Sequence, residues 1–250
     1  MNAYTVRRFN DNYYEIVVMK KELGGFKARE INTNDEKLDN NLARARTRAF
    51  ELAMCNEFTH FYTGTLSKEK VDDRFDLDSA YRPISQFYRD IGRKKYNSKI
   101  KYLNFPEPHK DGAWHFHGLM AGIPEEHITE FPKHAPLYLR ENGYKNWLDY
   151  ADRFGWCSLA PIKDTLAVSK YITKYITKAI VSEQIRERVG KHVFYHSRPL
   201  QGAQVIKKGT MLGGTVPDSH LQYENDYILK YAVTAEEIGT ILERLYQIGQ

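Results

Sequence analysis

Two kinds of hydrophobic pattern divide the chain into short strands and amphipathic helices. Residues 11–21 and 58–67 alternate apolar and polar positions and are rich in Tyr, Phe, Val and Thr, which is typical of strands. Residues 41–55 repeat apolar positions at helical spacing. Residues 99–122 predict two strands joined by a hairpin turn at the "HKDG" sequence. The other predicted elements are a helix beginning near Pro83, a short helix at 145–153, a strand at 155–162, a helix at 164–180, an extended segment at 192–200 and a terminal helix at 235–247.

This order of elements predicts an α+β fold. Strands joined by short turns and interspersed with helices favour an antiparallel sheet with helices packed on one side. The polar segment at residues 22–40 is typical of a loop or arm. We expect one domain over residues 1–205, which includes this N-terminal strand and arm, and an extension over 206–250 that ends in a helix.

Composition is ordinary for a globular protein and adds a modest positive charge. The 250 residues are 42% hydrophobic, carry a formal net charge of +5 and include 18 tyrosines, which suits a polyanionic, base-stacking partner such as nucleic acid. Cys55 and Cys157 lack metal-like spacing and predict reduced core residues. The sequence shows no membrane-length apolar run and no signal-peptide pattern, so we expect a cytoplasmic protein with no membrane partner.

A repeated tetrapeptide in "KYITKYITK" sets Tyr171 and Tyr175, here called the tyrosine pair, four residues apart. On a helix these residues share one stripe with Lys174 and Lys178, while an adjoining apolar stripe packs on a core. A solvated helix face with amphipathic tyrosines explains this pattern equally simply. The pair therefore needs a chemical partner elsewhere in the chain.

That partner is found in the predicted hairpin. His115 and His117 in "WHFHGLM" lie two apart on a strand, so their imidazoles project from one face. Glu107 lies on the preceding strand, where the hairpin brings it beside them. We call these three residues the Glu/His triad; His109 in the same turn is an alternative to Glu107. Two imidazoles and one carboxylate with open positions suit a catalytic metal such as Mn²⁺ or Mg²⁺.

In this order, "FTHFYTGTLS", "EPHKDGAWHFHGLM" and "YITKYITK" resemble the three motifs of the HUH-endonuclease replication initiators, the Rep proteins of rolling-circle plasmids and single-stranded DNA phages. The doubled Y-x-x-K is similar to two-tyrosine phage initiators. The resemblance covers roughly residues 42–200. It implies an antiparallel sheet of about five strands, with the Glu/His triad as metal ligands and the tyrosine pair as nucleophiles that form a 5′-phosphotyrosine while nicking origin DNA.

The resemblance also implies partners and leaves rival functions open. The substrate would be single-stranded or hairpin origin DNA in a bacterial host. The sequence shows no Walker A motif, so a host helicase and polymerase would unwind and copy the DNA. A two-tyrosine transposase, a zinc hydrolase and a non-catalytic nucleic-acid-binding module are the alternatives.

Two further sets of basic residues have candidate roles. Lys174 and Lys178 are predicted to stabilise a phenolate or the departing 3′ oxygen. Arg44, Arg46 and Arg48 lie near the exposed side of the helix predicted at 41–55, where they would contact either DNA phosphates or water.

Overall fold

A computed structural model describes residues 2–20, 34–176, 193–211 and 215–246. The strands, in chain order, are β1 (Ala3–Arg8), β2 (Tyr13–Met19), β3 (His60–Gly64), β4 (Lys101–Pro108), β5 (Trp114–Ala121), β6 (Ile128–Glu130), β7 (Lys145–Trp147), β8 (Cys157–Pro161), β9 (Tyr195–His196), β10 (Gln204–Thr210), β11 (Leu221–Glu224) and β12 (Ile228–Thr234). The helices are α1 (Asn34–Met54), α2 (Leu77–Lys94), α3 (Leu137–Glu141), α4 (Leu148–Arg153), α5 (Thr165–Ile172) and α6 (Ala235–Tyr246).

The chain divides into two compact units. Residues 33–200 form the larger unit, and residues 1–32 together with 201–250 form the smaller one. This division differs from the expected boundary after residue 205, because the N-terminal strands pair with strands near the C-terminus. The two ends of the chain therefore contribute to one sheet.

An antiparallel sheet of seven strands forms the centre of the larger unit, in the order β6-β7-β8-β3-β5-β4-β9. The α+β prediction is confirmed. The number of strands is larger than the expected five, because β6 and β7 have three residues and β9 has two. Such short runs carry too little alternation to be seen in a sequence.

Helices cover both faces of this sheet, so the expectation of helices on one side was wrong. α2 packs on the face that carries Tyr62 and Phe116. α1 and α5 pack on the opposite face, against Leu103 and Leu119. Successive strand residues point to opposite faces, and both faces of β4 and β5 are apolar over much of their length. A sheet of this kind needs cover on both sides.

Two helices begin earlier than expected. α2 begins at Leu77, where the Asp76 carboxylate accepts a hydrogen bond from the Ser79 amide at 2.8 Å, so Pro83 lies inside the helix. α1 begins at Asn34, so the last part of the polar segment expected to be a loop or arm is helical. The remainder of that segment, residues 21–33, lies outside the described residues.

The smaller unit contains a five-stranded antiparallel sheet in the order β10-β1-β2-β12-β11. Its core joins alternate residues of three strands to α6 through Ile241 and Leu245. The predicted strand at 11–21 and the predicted terminal helix correspond to β2 and α6. None of the helices in the described part of the chain combines the length and apolar character needed to cross a membrane.

Candidate active site

The β4–β5 hairpin holds the Glu/His triad, as the turn signal predicts. Antiparallel register pairs Glu107 with His115. The turn closes through a hydrogen bond from the His109 amide to the Ala113 carbonyl at 2.8 Å, and Gly112 has φ of 86°, where glycine is favoured. Because His117 follows His115 by two residues, all three side chains of the triad project from the sheet face that α1 and α5 cover.

His117 is held from both of its ring nitrogens. Its Nε2 lies 2.8 Å from a carboxylate oxygen of Glu107. Its Nδ1 lies 3.0 Å from the Thr63 hydroxyl on the neighbouring strand β3. A ring fixed at both nitrogens has one orientation, which is the arrangement that second-shell partners give to metal-binding histidines.

The ring of His115 faces the turn. It stacks on His109 with a centroid distance of 4.5 Å and an angle of 7°. Burial, and then the neighbouring imidazoles, lower the pKa of His115 from 6.5 to about 4. His115 is therefore neutral at physiological pH, which is the form of imidazole that binds metals. His109 also contacts the Asp111 carboxylate at 3.1 Å, and Asp111 pairs with Arg74 at 3.1 Å.

Both hydroxyls of the tyrosine pair lie 3.3 Å apart, close to the triad. The predicted helix at 164–180 is interrupted: α5 ends at Ile172, Thr173 caps it, and a helical stretch resumes at 174–176. The Thr173 hydroxyl donates to the Lys170 carbonyl at 2.8 Å, a local bond that competes with helix continuation. The four-residue spacing nevertheless brings the two phenols together.

The two tyrosines have different environments. Tyr171 is 45% exposed, whereas Tyr175 is 5% exposed and belongs to the core on this face of the sheet. A stripe carrying only solvated phenols and ammonium groups, as the helical pattern predicts, is therefore wrong for Tyr175. Burial, followed by the hydrogen bond with Tyr171, raises the pKa of Tyr175 well above its ordinary value of 10. Its hydroxyl is thus a hydrogen-bond donor in the resting protein.

Ring stacking joins Tyr175 directly to the triad. The ring of Tyr175 stacks on His117 with a centroid distance of 4.4 Å and an angle of 11°. Phe61, on β3, packs against both tyrosines at centroid distances of 5.6 and 6.5 Å. The sequence placed the histidines and tyrosines in separate motifs, and the fold brings them into contact.

The predicted basic residues have different positions. The Lys174 ammonium group lies 3.3 Å from the centroid of the Tyr171 ring, over its face. Lys178 lies outside the described residues. Arg44, Arg46 and Arg48 are exposed on α1, and Arg48 pairs with Glu51 at 3.3 Å.

The donor chemistry of the triad suits a divalent metal, but its side chains are not arranged around one point. Among the residues that the structure describes, no group of three His, Cys, Asp or Glu side chains is positioned to hold a metal ion. The reason is local: Glu107 contacts His117 directly, while the His115 ring stacks on His109. Metal binding therefore requires Glu107 and His115 to turn their donor atoms toward a common position beside His117.

Comparison with known proteins gives one match. Residues 59–180 match a family model for the ORF2-type replication-associated proteins, a stretch that is just under half of the chain and contains the triad and the tyrosine pair. The match supports a replication initiator family. No curated protein and no solved structure matches the chain significantly.

Sequence reasoning missed two residues of the site, Thr63 and Phe61. Both lie in the strand predicted at 58–67 and are two residues apart, so they share a face. The missing information was the pairing of β3 with β5, which places Thr63 opposite His117. Strand pairing between segments far apart in sequence has no local signal.

Proposed function

We propose that this protein is a replication initiator that nicks single-stranded origin DNA by tyrosine transesterification. The observation that carries the proposal is the stack of Tyr175 on His117 at 4.4 Å, with the Tyr171 hydroxyl 3.3 Å from that of Tyr175. Two nucleophiles and a set of metal-binding side chains thus lie within reach of one phosphate. The family match supports replication as the setting.

In the proposed reaction a phenol oxygen attacks the phosphorus of a phosphodiester, and the bond from phosphorus to the 3′ oxygen breaks. The phenol proton is lost, and the departing 3′ oxygen gains a proton to leave as a hydroxyl. The product is a 5′-phosphotyrosine that keeps the bond energy of the phosphodiester. Attack by a free 3′ hydroxyl reverses the step and rejoins DNA without ATP.

Each side chain has a role that its position supports. A bound Mn²⁺ or Mg²⁺ would neutralise a non-bridging phosphate oxygen. Glu107, His115 and His117 would hold it, and the Thr63 hydroxyl would orient His117. The Lys174 ammonium group lies near both tyrosine rings, at 3.3 and 5.5 Å from their centroids, where it stabilises negative charge that develops during attack.

The paired phenols favour two successive cleavages. One tyrosine would hold the 5′ end through a round of synthesis, while the other cleaves the regenerated origin. We propose that the host supplies the helicase and polymerase for this round. A two-tyrosine transposase would use the same chemistry and differ only in where the strand is rejoined.

One experiment separates the candidate functions. The protein is incubated with single-stranded DNA and Mn²⁺ and analysed by denaturing electrophoresis. We expect a covalent protein–DNA adduct that is absent from His115→Ala and His117→Ala variants. Cleaved strands without an adduct would select the hydrolase, and a mobility shift that salt abolishes, without cleavage, would select the binding module.

A further inference from the structure

A groove between α2 and the edge strand β9 lies away from the candidate active site. Its volume is about 1120 Å³, and its lining includes Arg89, Arg93, Lys99, Phe194, Tyr195 and Arg198. β4 connects the two places, since Tyr102 borders the groove and Glu107 belongs to the triad. Five residues of strand separate them, a distance of about 17 Å.

The groove carries a clear excess of positive charge. Its described lining contains one carboxylate, Asp90, whose oxygens lie 3.8 Å from Arg93 and 3.4 Å from Lys94. Arg89 instead bonds to neutral side chains of the same helix, at 2.7 and 2.9 Å. Among the described residues, Arg89, Lys99 and Arg198 form no ion pair, and all three are exposed. Such a groove attracts a polyanion.

Aromatic rings line the groove beside these cations. Tyr195 stacks on Tyr81 at 3.8 Å, and Phe194 stacks on Phe105 at 5.6 Å. These contacts fix the two half-buried rings of β9 and its preceding residue against the sheet. Cations that follow a phosphate backbone, combined with fixed aromatic rings, are typical of sites for single-stranded nucleic acid. Duplex DNA keeps its bases stacked inside and would use the charges only.

We propose that the α2–β9 groove binds a segment of the same DNA strand that the active site nicks, by its phosphates and unpaired bases. This inference rests on the proposed function, because it makes the bound segment a continuation of the nicked strand. The separation of about 17 Å corresponds to roughly five phosphates at the spacing of one duplex strand. The groove would therefore set how much flanking sequence the enzyme requires.

The test measures DNA binding over a series of salt concentrations in a protein whose tyrosine pair is replaced by phenylalanine, so that no strand is cut. Fluorescence anisotropy of a labelled single strand gives the slope of log affinity against log salt. Arg89→Gln combined with Arg198→Gln removes two phosphate contacts, so the slope should fall by about 1.4. Lys133→Gln combined with Lys163→Gln is the matched control: it removes two exposed charges from other surfaces and should leave the slope unchanged.

Three results would overturn the inference. An unchanged slope in the Arg89 and Arg198 variant, with DNA still bound, would remove the groove and leave the proposed function intact. Equal competition by a duplex of the same length would refute the preference for a single strand. Absence of DNA binding by the parent protein would contradict the proposed function as well.

Discussion

The hydroxyl of Thr63 offers the sharpest test of the proposed metal chemistry, because it contacts the triad without belonging to it. It lies 3.0 Å from Nδ1 of His117, whose Nε2 faces Glu107 at 2.8 Å. Without metal, an Nε2–H donates to the carboxylate and the hydroxyl donates to Nδ1. With metal on Nε2, the ring carries its proton on Nδ1, which then donates to the Thr63 oxygen. A hydroxyl serves both states, because it donates and accepts.

Thr63→Val keeps the shape and strand preference of the side chain and removes both hydrogen bonds. Loss of such a second-shell partner weakens metal affinity roughly 10- to 100-fold, or about 1.4 to 2.8 kcal/mol. We therefore expect the Mn²⁺ concentration for half-maximal nicking to rise by that factor. Thr63→Ser retains the hydroxyl and should stay close to wild type, and Thr129→Val, in β6, should have no effect.

The assay is a Mn²⁺ titration of nicking, with thermal unfolding measured in parallel to confirm that each variant is folded. A Thr63→Val protein with the wild-type Mn²⁺ requirement would refute the reasoning. So would a Thr63→Ser protein that behaves like the valine variant, because packing and not the hydroxyl would then be responsible.

Two further predictions concern metal affinity and folding. Glu107→Gln keeps the side-chain shape but removes its charge, so the Mn²⁺ requirement in the same titration should rise about 10-fold, less than for His117→Ala; equal effects of the two variants would contradict this order. Gly118→Ala would place a Cβ 2.3 Å from a backbone carbonyl of β4 and should destabilise the fold by about 1 to 3 kcal/mol in denaturant unfolding, whereas Gly239→Ala, with open space on α6, should stabilise by about 0.5 to 1 kcal/mol. Wild-type stability of the Gly118 variant would show that this contact relaxes without cost.

Local signals explain why the hairpin and the triad could be predicted from the sequence. The Asp111–Gly112 turn fixes which residues of β4 and β5 oppose one another, and strand alternation then puts the histidines on one face. The four-residue spacing of the tyrosines likewise survives the break at Thr173, because the phenols still meet.

Features that depend on distant parts of the chain could not be predicted. The burial of Tyr175 results from packing on β3 and β5, and helical periodicity identifies a stripe without saying what covers it. The smaller unit needs β1 and β2 to pair with strands about two hundred residues later, which no turn signal announces. The α2–β9 groove likewise joins segments that are remote in sequence.

Peptide mapping of the covalent DNA adduct tests the central claim most directly. The account predicts label on peptides containing Tyr171 and Tyr175, nicking by each single phenylalanine variant, and no adduct from the double variant. Phenylalanine keeps the ring that stacks on His117, so a loss of adduct reports chemistry and not folding. Label on one tyrosine only, with an unimpaired phenylalanine variant at the other, would contradict the pair, and an adduct that persists in the double variant would contradict the claim altogether.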